Sequence, residues 1–158
     1  MKTFDGLSPT PIDGSVAVVA SRYNASICDS MLEAAIATLR ESGLDPQRIL
    51  VTRVPGAWEL CSATDWWMRS ARVVGVVTLG CVIRGETTHD QHINRVVSDS
   101  LMALSLEYDL PLGFGLLTCN TVEQAIQRSG GSVGNKGHEA AEALVEMIRL
   151  KQAMLVQA

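Results

Sequence analysis

Several features are missing from this sequence of 158 residues, and each absence excludes a class of protein. The four cysteines, at positions 28, 61, 81 and 119, are widely spaced and form no C-x-x-C pair, which argues against a disulfide framework or a zinc site. The longest apolar run, near residues 73–83, is too short to span a bilayer. The N-terminus shows no basic segment followed by an apolar one, as a secretory signal would. We therefore expect a cytoplasmic protein whose cysteines are small core residues.

Positive charge is also scarce, because 13 lysines and arginines stand against 17 acidic residues and give a formal net charge of −4. This balance leaves no broad basic surface for nucleic acid or anionic lipid, so any phosphate group must be bound locally. The hydrophobic share of 47% is high for a small soluble monomer and indicates apolar surface buried between subunits. The length fits one domain, expected over residues 15–158, preceded by an extended arm over residues 1–14 that contains Pro9 and Pro11.

Strand and helix patterns alternate along the expected domain. Apolar runs predict strands at residues 15–21, 48–54, 73–79 and 112–118. Helical spacing predicts helices from a cap at Ser26 to Ser42, from Ala57 to about residue 70, from Thr88 to about residue 108, then a short one to Arg128 and a last one from residue 135. This alternation predicts a flavodoxin-like three-layer α/β sandwich, with a four-stranded parallel sheet flanked by helices on both faces.

Finer predictions follow from local patterns. A capping box, from either Asn120 with Glu123 or Thr121 with Gln124, should start the short helix, and the glycine-rich stretch at residues 129–137 reads as a flexible loop. The apolar stripes of three helices should face the core: Ile27, Met31, Ala34, Ala35 and Leu39 of the first, Ile93, Val96, Val97, Leu101 and Leu104 of the third, and Ala140, Ala141, Leu144, Met147 and Ile148 of the last. Trp66 and Trp67 of the second helix should be packed as well.

The unusual stretches all follow predicted strands, at residues 22–24, 55–59, 80–89 and 118–128. Ligands of such folds bind beyond the carboxyl ends of the strands, so we expect these stretches to converge on one rim. Residues 80–89 are predicted to form a strand-to-helix turn with free amides at the positive end of a helix dipole, where Gly85 allows close approach of an oxyanion. His89 would place a titratable group beside that anion site.

The motifs GCVIRGETTH, LLTCNTVEQAIQR and GNKGHEAAEALVEM, supported by SRYN and VPGAWE, resemble the 6,7-dimethyl-8-ribityllumazine synthase family. The resemblance runs from about Ser15 to Met147, with the motifs in the family's order. It implies a transferase that condenses 5-amino-6-(D-ribitylamino)uracil with 3,4-dihydroxy-2-butanone 4-phosphate, releasing phosphate, in the penultimate step of riboflavin biosynthesis. It also implies that the reaction uses no metal and no redox cofactor.

For the butanone phosphate, the resemblance implies binding by the backbone amides of Glu86 and Thr87 and by Arg128, with His89 as the proton carrier. Two further charges are implied near the phosphate and His89, namely those of Lys136 and Glu139. Plainer interpretations remain: Arg128 favouring a helix C-terminus, His89 as an ordinary surface histidine, and the later pair as a solvated helix start. A metal pair of His89 with the residue at position 92 is a further alternative, for which no third ligand is evident.

For the pyrimidine substrate, the resemblance implies a stacking ring, contacts to the ribityl hydroxyls, a slot lined mainly by backbone groups and a closing ring from a neighbouring subunit. The implied stacking ring is that of Tyr23, and the implied ribityl contacts are Ala57, Trp58 and Glu59. The implied slot is lined by Cys81, Val82 and Ile83, and the implied closing ring is that of Phe114. Tyr23 and Trp58 replace the aromatic residues that are commoner in the family, and Asp90 stands where an aromatic is common. Trp58 could instead be only a bulky residue at a helix start. Cys81 could be a nucleophile, although a buried thiol fits the chemistry better.

The resemblance further implies a pocket between adjacent subunits of a pentamer, with Phe114, Arg128 and Lys136 supplied from one side. Assembly into an icosahedral shell is left open, because no insertion follows Arg128 while the prolines of the arm oppose strand addition. Riboflavin synthase is an expected partner. The alternative function is a non-catalytic paralogue that binds flavin or lumazine, or that only forms a shell.

Overall fold

The computed structural model describes residues 1–156, with the backbone alone at Val156. Gln157 and Ala158, the last two residues of the expected domain, lie outside the described residues. The helices and strands follow in this order: β1 (Val16–Ser21), α1 (Ala25–Glu41), a 3-10 turn (Pro46–Arg48), β2 (Ile49–Val54), α2 (Leu60–Arg69), β3 (Gly75–Ile83), α3 (His89–Glu107), β4 (Leu112–Cys119), α4 (Val122–Gln127), β5 (Ser129–Gly131), β6 (Gly134–Asn135) and α5 (Lys136–Val156). None of the helices described is long and apolar enough to cross a membrane.

The four long strands form one parallel sheet in the order β2-β1-β3-β4. β1 lies inside the sheet and is buried along its whole length, because neighbouring strands cover both edges and helices cover both faces. The alternation of its side chains divides the core, with Val16 and Val18 on one face and Ala17 and Val19 on the other.

Two helices cover each face of the sheet. α1 and α5 pack against one face through side chains that include Met31, Leu39 and Leu144, while α2 and α3 cover the other through Leu60 and Leu101. The predicted flavodoxin-like sandwich of a four-stranded parallel sheet between two helical layers is therefore confirmed.

The N-terminal segment, residues 1–14, contains no helix or strand but contacts the rest of the chain. The Cα of Gly6 approaches the backbone of Glu146 so closely that a Cβ would lie 1.9 Å from its carbonyl oxygen. Arg149 donates to the carbonyl oxygen of Thr10 at 3.0 Å, and Ile12 is buried at 8% exposure. The segment is thus held against α5.

Three predictions about local structure are wrong. Ser26 does not cap α1, because the helix begins one residue earlier, at Ala25, with Asn24 in the cap position. Residues 80–83 are not part of a turn: β3 continues through Ile83, so the strand-to-helix turn spans residues 84–88. Residues 129–137 are not a flexible loop, because β5 and β6 pair as an antiparallel hairpin and α5 starts at Lys136.

Thr121 caps α4 as the second form of the predicted capping box requires, whereas the return bond of Gln124 goes to the residue before the cap. Thr121 accepts a hydrogen bond from the Gln124 amide at 3.2 Å, and the Gln124 side chain accepts one from the Asn120 amide at 2.9 Å. The predicted inner faces hold for most positions. Val96, Met147 and Trp66 are exceptions, since they are exposed by 45%, 49% and 68% respectively, so a single chain does not bury them.

The contact between α1 and α5 gives the first testable prediction. A Cβ at the buried Gly137 would lie 1.9 Å from the carbonyl oxygen of Met31, so Gly137→Ala must push the two helices apart. We expect the free energy of unfolding in urea to fall by about 2–3 kcal/mol. Gly85→Ala is the matched control, because no atom of the described chain lies within 4 Å of a Cβ built there. Equal stability of the two variants would contradict the close helix contact.

Candidate active site

The segments that follow the four parallel strands meet at one rim of the sheet. The amides of Arg22 and Tyr23 donate to the carbonyl oxygens of Val54 and Pro55 at 2.8 and 3.0 Å, which joins the turn after β1 to the loop after β2. The amide of Arg84 donates to the carbonyl oxygen of Cys119 at 2.8 Å, which joins the turn after β3 to the end of β4. The predicted convergence of these segments is therefore present in the fold.

Two aromatic side chains stand on this rim and are largely uncovered. Tyr23 is 68% exposed and Trp58 is 55% exposed. The Tyr23 ring lies against the loop after β2, since a Cβ at Gly56 would be 2.7 Å from its Cδ2 atom. An exposed ring whose position is fixed by contact with Gly56 can stack on a flat ligand.

Glu59 is held in place by the same loop. Its Oε2 atom accepts a hydrogen bond from the Gly56 amide at 2.9 Å, and the residue is half-buried at the start of α2. Ala57 is buried at 8% exposure, so this loop offers a ligand mainly its backbone and the remaining carboxylate oxygen of Glu59. A carboxylate in this position is a hydrogen-bond acceptor for hydroxyl groups.

The end of β3 provides an uncovered strand edge. β1 pairs with β3 only as far as Leu79, whereas β4 stays paired with β3 to Ile83. The backbone N–H and C=O groups of successive strand residues point to opposite sides of the strand. Because the N–H of Arg84 points toward β4, the N–H and C=O of Ile83 point to the opposite side, where β1 has already ended. The rim therefore contains a donor and an acceptor side by side on one strand.

Cys81 lies in this strand and is an inert thiol. Burial, followed by the neighbouring thiols of Cys28 and Cys119, raises the pKa of Cys81 to about 12. Since only the thiolate is nucleophilic, a thiol with this pKa is a poor nucleophile at neutral pH. The observation favours the interpretation of Cys81 as a packing residue. Val82 beside it is buried at 8% exposure.

The turn over residues 84–88 is fully exposed and leads directly into α3. The amides of Glu86 and Thr87 donate no hydrogen bond to any described residue, and the space above Gly85 is open. His89 is the first residue of the helix, is exposed, and its amide donates to Thr87 Oγ1 at 3.4 Å. Unpaired amides at the positive end of a long helix are suited to bind an anion.

Asp90, the departure beside His89, is half-buried on α3. Its Oδ1 atom is shielded from solvent and accepts no hydrogen bond from the described residues, and the same is true of Asn94 Oδ1 one turn later. Among residues 1–156, no cluster of three or more histidine, cysteine, aspartate or glutamate side chains is placed to hold a metal ion.

Arg128 ends α4 on the same side of the fold. Its Nη1 atom donates to the carbonyl oxygen of Gln124 at 3.3 Å, which is the contact expected of a helix C-terminus. The Arg128 side chain is exposed. Burial raises the pKa of Cys119, and the positive charge of Arg128 lowers that pKa in part. Arg128 thus lies within electrostatic range of the strand end to which the Arg84 amide is bonded.

Lys136 and Glu139 follow close to Arg128. The Lys136 amide donates to the carbonyl oxygen of Arg128 at 2.8 Å. The ammonium group of Lys136 forms an ion pair with the carboxylate of Glu139. The structure therefore brings these two charges next to Arg128, where they compensate each other in the single chain.

Phe114 does not join the rim within one chain. It is the third of the eight residues of β4 and pairs with Thr78, three residues before the partner of Cys81 and therefore about 10 Å from it. Its ring is 44% exposed and lines a cavity of about 200 Å³ with Ser98 and Met102 of α3. Another cavity, of about 390 Å³, lies between the N-terminal segment, α1 and α5, away from the rim.

Sequence reasoning missed the contacts that hold the turn after β1. Asn24 donates its side-chain amide to the carbonyl oxygen of Cys81 at 2.9 Å. Arg53 donates to the carbonyl oxygen of Ser21 at 3.3 Å and pairs with Asp29 at 2.7 Å. Asparagine after a strand was a signal for a turn, but its partner on β3 is 57 residues away and leaves no local trace.

Comparison with known proteins agrees with the resemblance described above. The family model described as 6,7-dimethyl-8-ribityllumazine synthase matches residues 13–152. A protein of Rhodopirellula baltica named 6,7-dimethyl-8-ribityllumazine synthase is 58% identical over 154 residues, covering 98% of this chain and 99% of the relative. A match of this extent leaves no large part of the fold unaccounted for. This chain therefore belongs to the 6,7-dimethyl-8-ribityllumazine synthase family.

Proposed function

We propose that this chain condenses 5-amino-6-(D-ribitylamino)uracil with 3,4-dihydroxy-2-butanone 4-phosphate to give 6,7-dimethyl-8-ribityllumazine. The amine attacks the ketone and loses water to form an imine, phosphate leaves by elimination, and ring closure with loss of a second water completes the lumazine. This reaction is the penultimate step of riboflavin biosynthesis and needs neither a metal nor a redox cofactor. Its requirements are an anion site, a proton carrier and a flat slot for the pyrimidine.

The observation that supports this proposal most strongly is the turn over residues 84–88. It combines unpaired amides at Glu86 and Thr87, open space at Gly85 and the positive end of a long helix, all of which favour a doubly charged phosphate ester. The Glu86 carboxylate would repel the phosphate, so its side chain points to solvent while its amide binds. Arg128 contributes two parallel charge-assisted hydrogen bonds.

His89 carries protons between the reacting groups. It follows the anion site directly, and histidine is the side chain whose protonation changes most readily near neutral pH. During imine formation the imidazolium donates a proton to the departing oxygen, and the neutral ring later accepts the proton removed during phosphate elimination. Each transfer leaves the side chain ready for the next.

The pyrimidine binds along the uncovered edge of β3. The donor and acceptor of Ile83 match the alternating carbonyl and N–H groups on a uracil edge, and the Tyr23 ring covers its face. Cys81 and Val82 form the floor of the slot. Ala57, Trp58 and Glu59 contact the ribityl chain, where hydroxyl groups bond to the loop backbone and to the free oxygen of Glu59.

The pocket is completed by a neighbouring subunit of a cytoplasmic pentamer. A second chain supplies Phe114, Arg128 and Lys136, and the position of Phe114 in mid-strand supports this arrangement because one chain cannot bring it to its own rim. Exposed Met102 and Leu106, at 62% and 75%, add apolar surface suited to burial between subunits. Light scattering distinguishes a pentamer from an icosahedral shell, and it can also detect a complex with riboflavin synthase.

The experiment that tests the function is to mix the pure protein with both substrates and follow lumazine fluorescence and free phosphate together. We expect the two products to appear in equal amounts, with no loss of rate after addition of a chelator. Omission of either substrate is the control. Tight binding of lumazine without product formation would instead identify a non-catalytic binding paralogue. Activity that depends on zinc would contradict the proposed chemistry.

A further inference from the structure

The residue at the cap position of α1 does not act as a cap. Asn24 stands at the N-cap with φ 55° and ψ 51°, a left-handed conformation that asparagine tolerates better than most residues. Asparagine is among the best N-cap residues, yet its side chain makes no capping hydrogen bond here. The capping bond is absent because the side-chain amide of Asn24 is hydrogen-bonded to another part of the chain.

The Asn24 side chain instead takes the place of a missing strand. β1 stops pairing with β3 at Leu79, so the carbonyl oxygen of Cys81 has no strand partner on that side. The Nδ2 atom of Asn24 donates to this oxygen at 2.9 Å. One hydrogen bond therefore ties the turn after β1 to the strand edge that continues to Ile83.

The same turn is fixed on its other side by the loop after β2. The Tyr23 amide donates to the carbonyl oxygen of Pro55 at 3.0 Å, and the Tyr23 ring lies against Gly56. Tyr23 is thus placed between a backbone contact to β2 and a side-chain contact from Asn24 to β3. The width of the space between its ring and the edge of β3 depends on the second contact, which no strand pairing supports.

We propose that Asn24 is a positioning residue that sets the distance between the stacking ring of Tyr23 and the edge of β3, and so determines affinity for a flat pyrimidine. Asn24 acts through these two groups and does not itself take part in the reaction. The inference rests on the proposed function, because that function assigns the pyrimidine to this space.

Three variants separate the side-chain bond from the backbone conformation. Asn24→Gly keeps the left-handed conformation but removes the amide donor. Asn24→Asp keeps the size of the side chain but turns a carboxylate toward the carbonyl oxygen of Cys81. Ala71→Gly is the matched control, because it places glycine at another left-handed position, with φ 54°, just before β3 begins and far from the rim.

The test measures both Michaelis constants and, by quenching of intrinsic fluorescence, the equilibrium binding of the ribitylaminouracil. Loss of one positioning hydrogen bond should weaken pyrimidine binding about tenfold in both Asn24 variants while the KM for butanone phosphate changes by less than about twofold. The melting temperature of Asn24→Asp should fall by no more than a few degrees, since only one part-buried hydrogen bond is lost. Ala71→Gly should match the unmodified chain in both constants.

A pH series gives a signature that a structural role would not produce. A protonated carboxyl group can donate to the carbonyl oxygen of Cys81, so the binding defect of Asn24→Asp relative to the unmodified chain should shrink as the pH falls from about 6 to about 4, toward the ordinary pKa of an aspartate. A ratio that stays constant with pH, or defects in both substrates that follow a loss of melting temperature, would overturn the inference. An unmodified chain that binds the pyrimidine without forming lumazine would contradict only the proposed function. Failure to bind the pyrimidine at all would overturn both.

Discussion

Replacing His89 with alanine is expected to lower kcat by about a hundredfold to a thousandfold while the KM for each substrate changes little. The expected loss is confined to turnover because, in the proposed mechanism, the imidazole moves protons during imine formation and elimination, whereas backbone amides and Arg128 bind the phosphate. Some activity should remain, since the pocket still brings the two substrates together. Steady-state kinetics with each substrate varied in turn measures both constants.

His92→Ala is the matched control for this variant. The two histidines are three residues apart on the first turn of α3 and both are exposed, so their removal costs the helix similar contacts. We expect His92→Ala to keep kcat within about twofold, as is usual for surface substitutions away from a site. Equal losses in the two variants would show that the effect comes from the helix and not from proton transfer.

Replacing Arg128 with alanine is expected to raise the KM for butanone phosphate by about a hundredfold and to leave the KM for the ribitylaminouracil nearly unchanged. The reason is the loss of the two charge-assisted hydrogen bonds that Arg128 is proposed to donate to the phosphate, an effect that the exposure of the side chain moderates. The KM of Arg128→Lys for butanone phosphate should lie between that of the unmodified chain and that of Arg128→Ala, because an ammonium group keeps the charge but not the paired geometry.

Arg40→Ala provides the control for charge alone. Arg40 is exposed in the last turn of α1, whose first turn lies at the rim, so the helix carries it to the far end of the sheet. Its removal takes away one positive charge, as Arg128→Ala does, without touching the proposed anion site. If both arginine variants weakened phosphate binding equally, long-range attraction would explain the result and the assignment of Arg128 would fail.

The architecture could be predicted because it depends on local patterns. The runs that became β1 and β4 are apolar and rich in β-branched or aliphatic residues, and their helices carry stripes at helical spacing. The order of these segments along the chain then leaves few arrangements other than a parallel sheet covered on both faces. The convergence of the four rim segments follows from that sheet.

The extent of β3 was missed because Gly80 reads as the end of a strand. In the structure Gly80 continues the strand, and a Cβ there would approach Leu60 and Leu116 at 3.0 Å, so the glycine makes room for these side chains of α2 and β4 on one face of the sheet. That reason involves residues far away in the sequence. The same shift moves Cys81 to Ile83 out of the turn and into a strand edge.

The hairpin of β5 and β6 was missed for a related reason. Gly130 and Gly134 adopt φ values of 121° and 109°, so the glycines that suggested flexibility instead allow a tight turn. The hairpin is fixed by contacts to α1, where the Ser30 hydroxyl donates to the carbonyl oxygen of Ser129 and Asn135 donates to that of Ser30. Such contacts join residues about a hundred positions apart and leave no mark in a local pattern.

Three apolar side chains that were predicted to be buried are exposed in the single chain. Helical spacing predicted that Val96 and Met147 face the core, but both are exposed, because the apolar stripes of their helices are wider than the face that one sheet covers. Trp66 likewise points outward from α2. The proposed pentamer would bury part of this surface.

The most direct test of the account is a crystal structure of the protein with 3,4-dihydroxy-2-butanone 4-phosphate bound. We predict that the phosphate accepts hydrogen bonds from the amides of Glu86 and Thr87, that an Arg128 guanidinium faces it, and that the imidazole of His89 lies beside the carbon chain. A phosphate bound elsewhere on the protein, or His89 turned away from the occupied rim, would contradict the account.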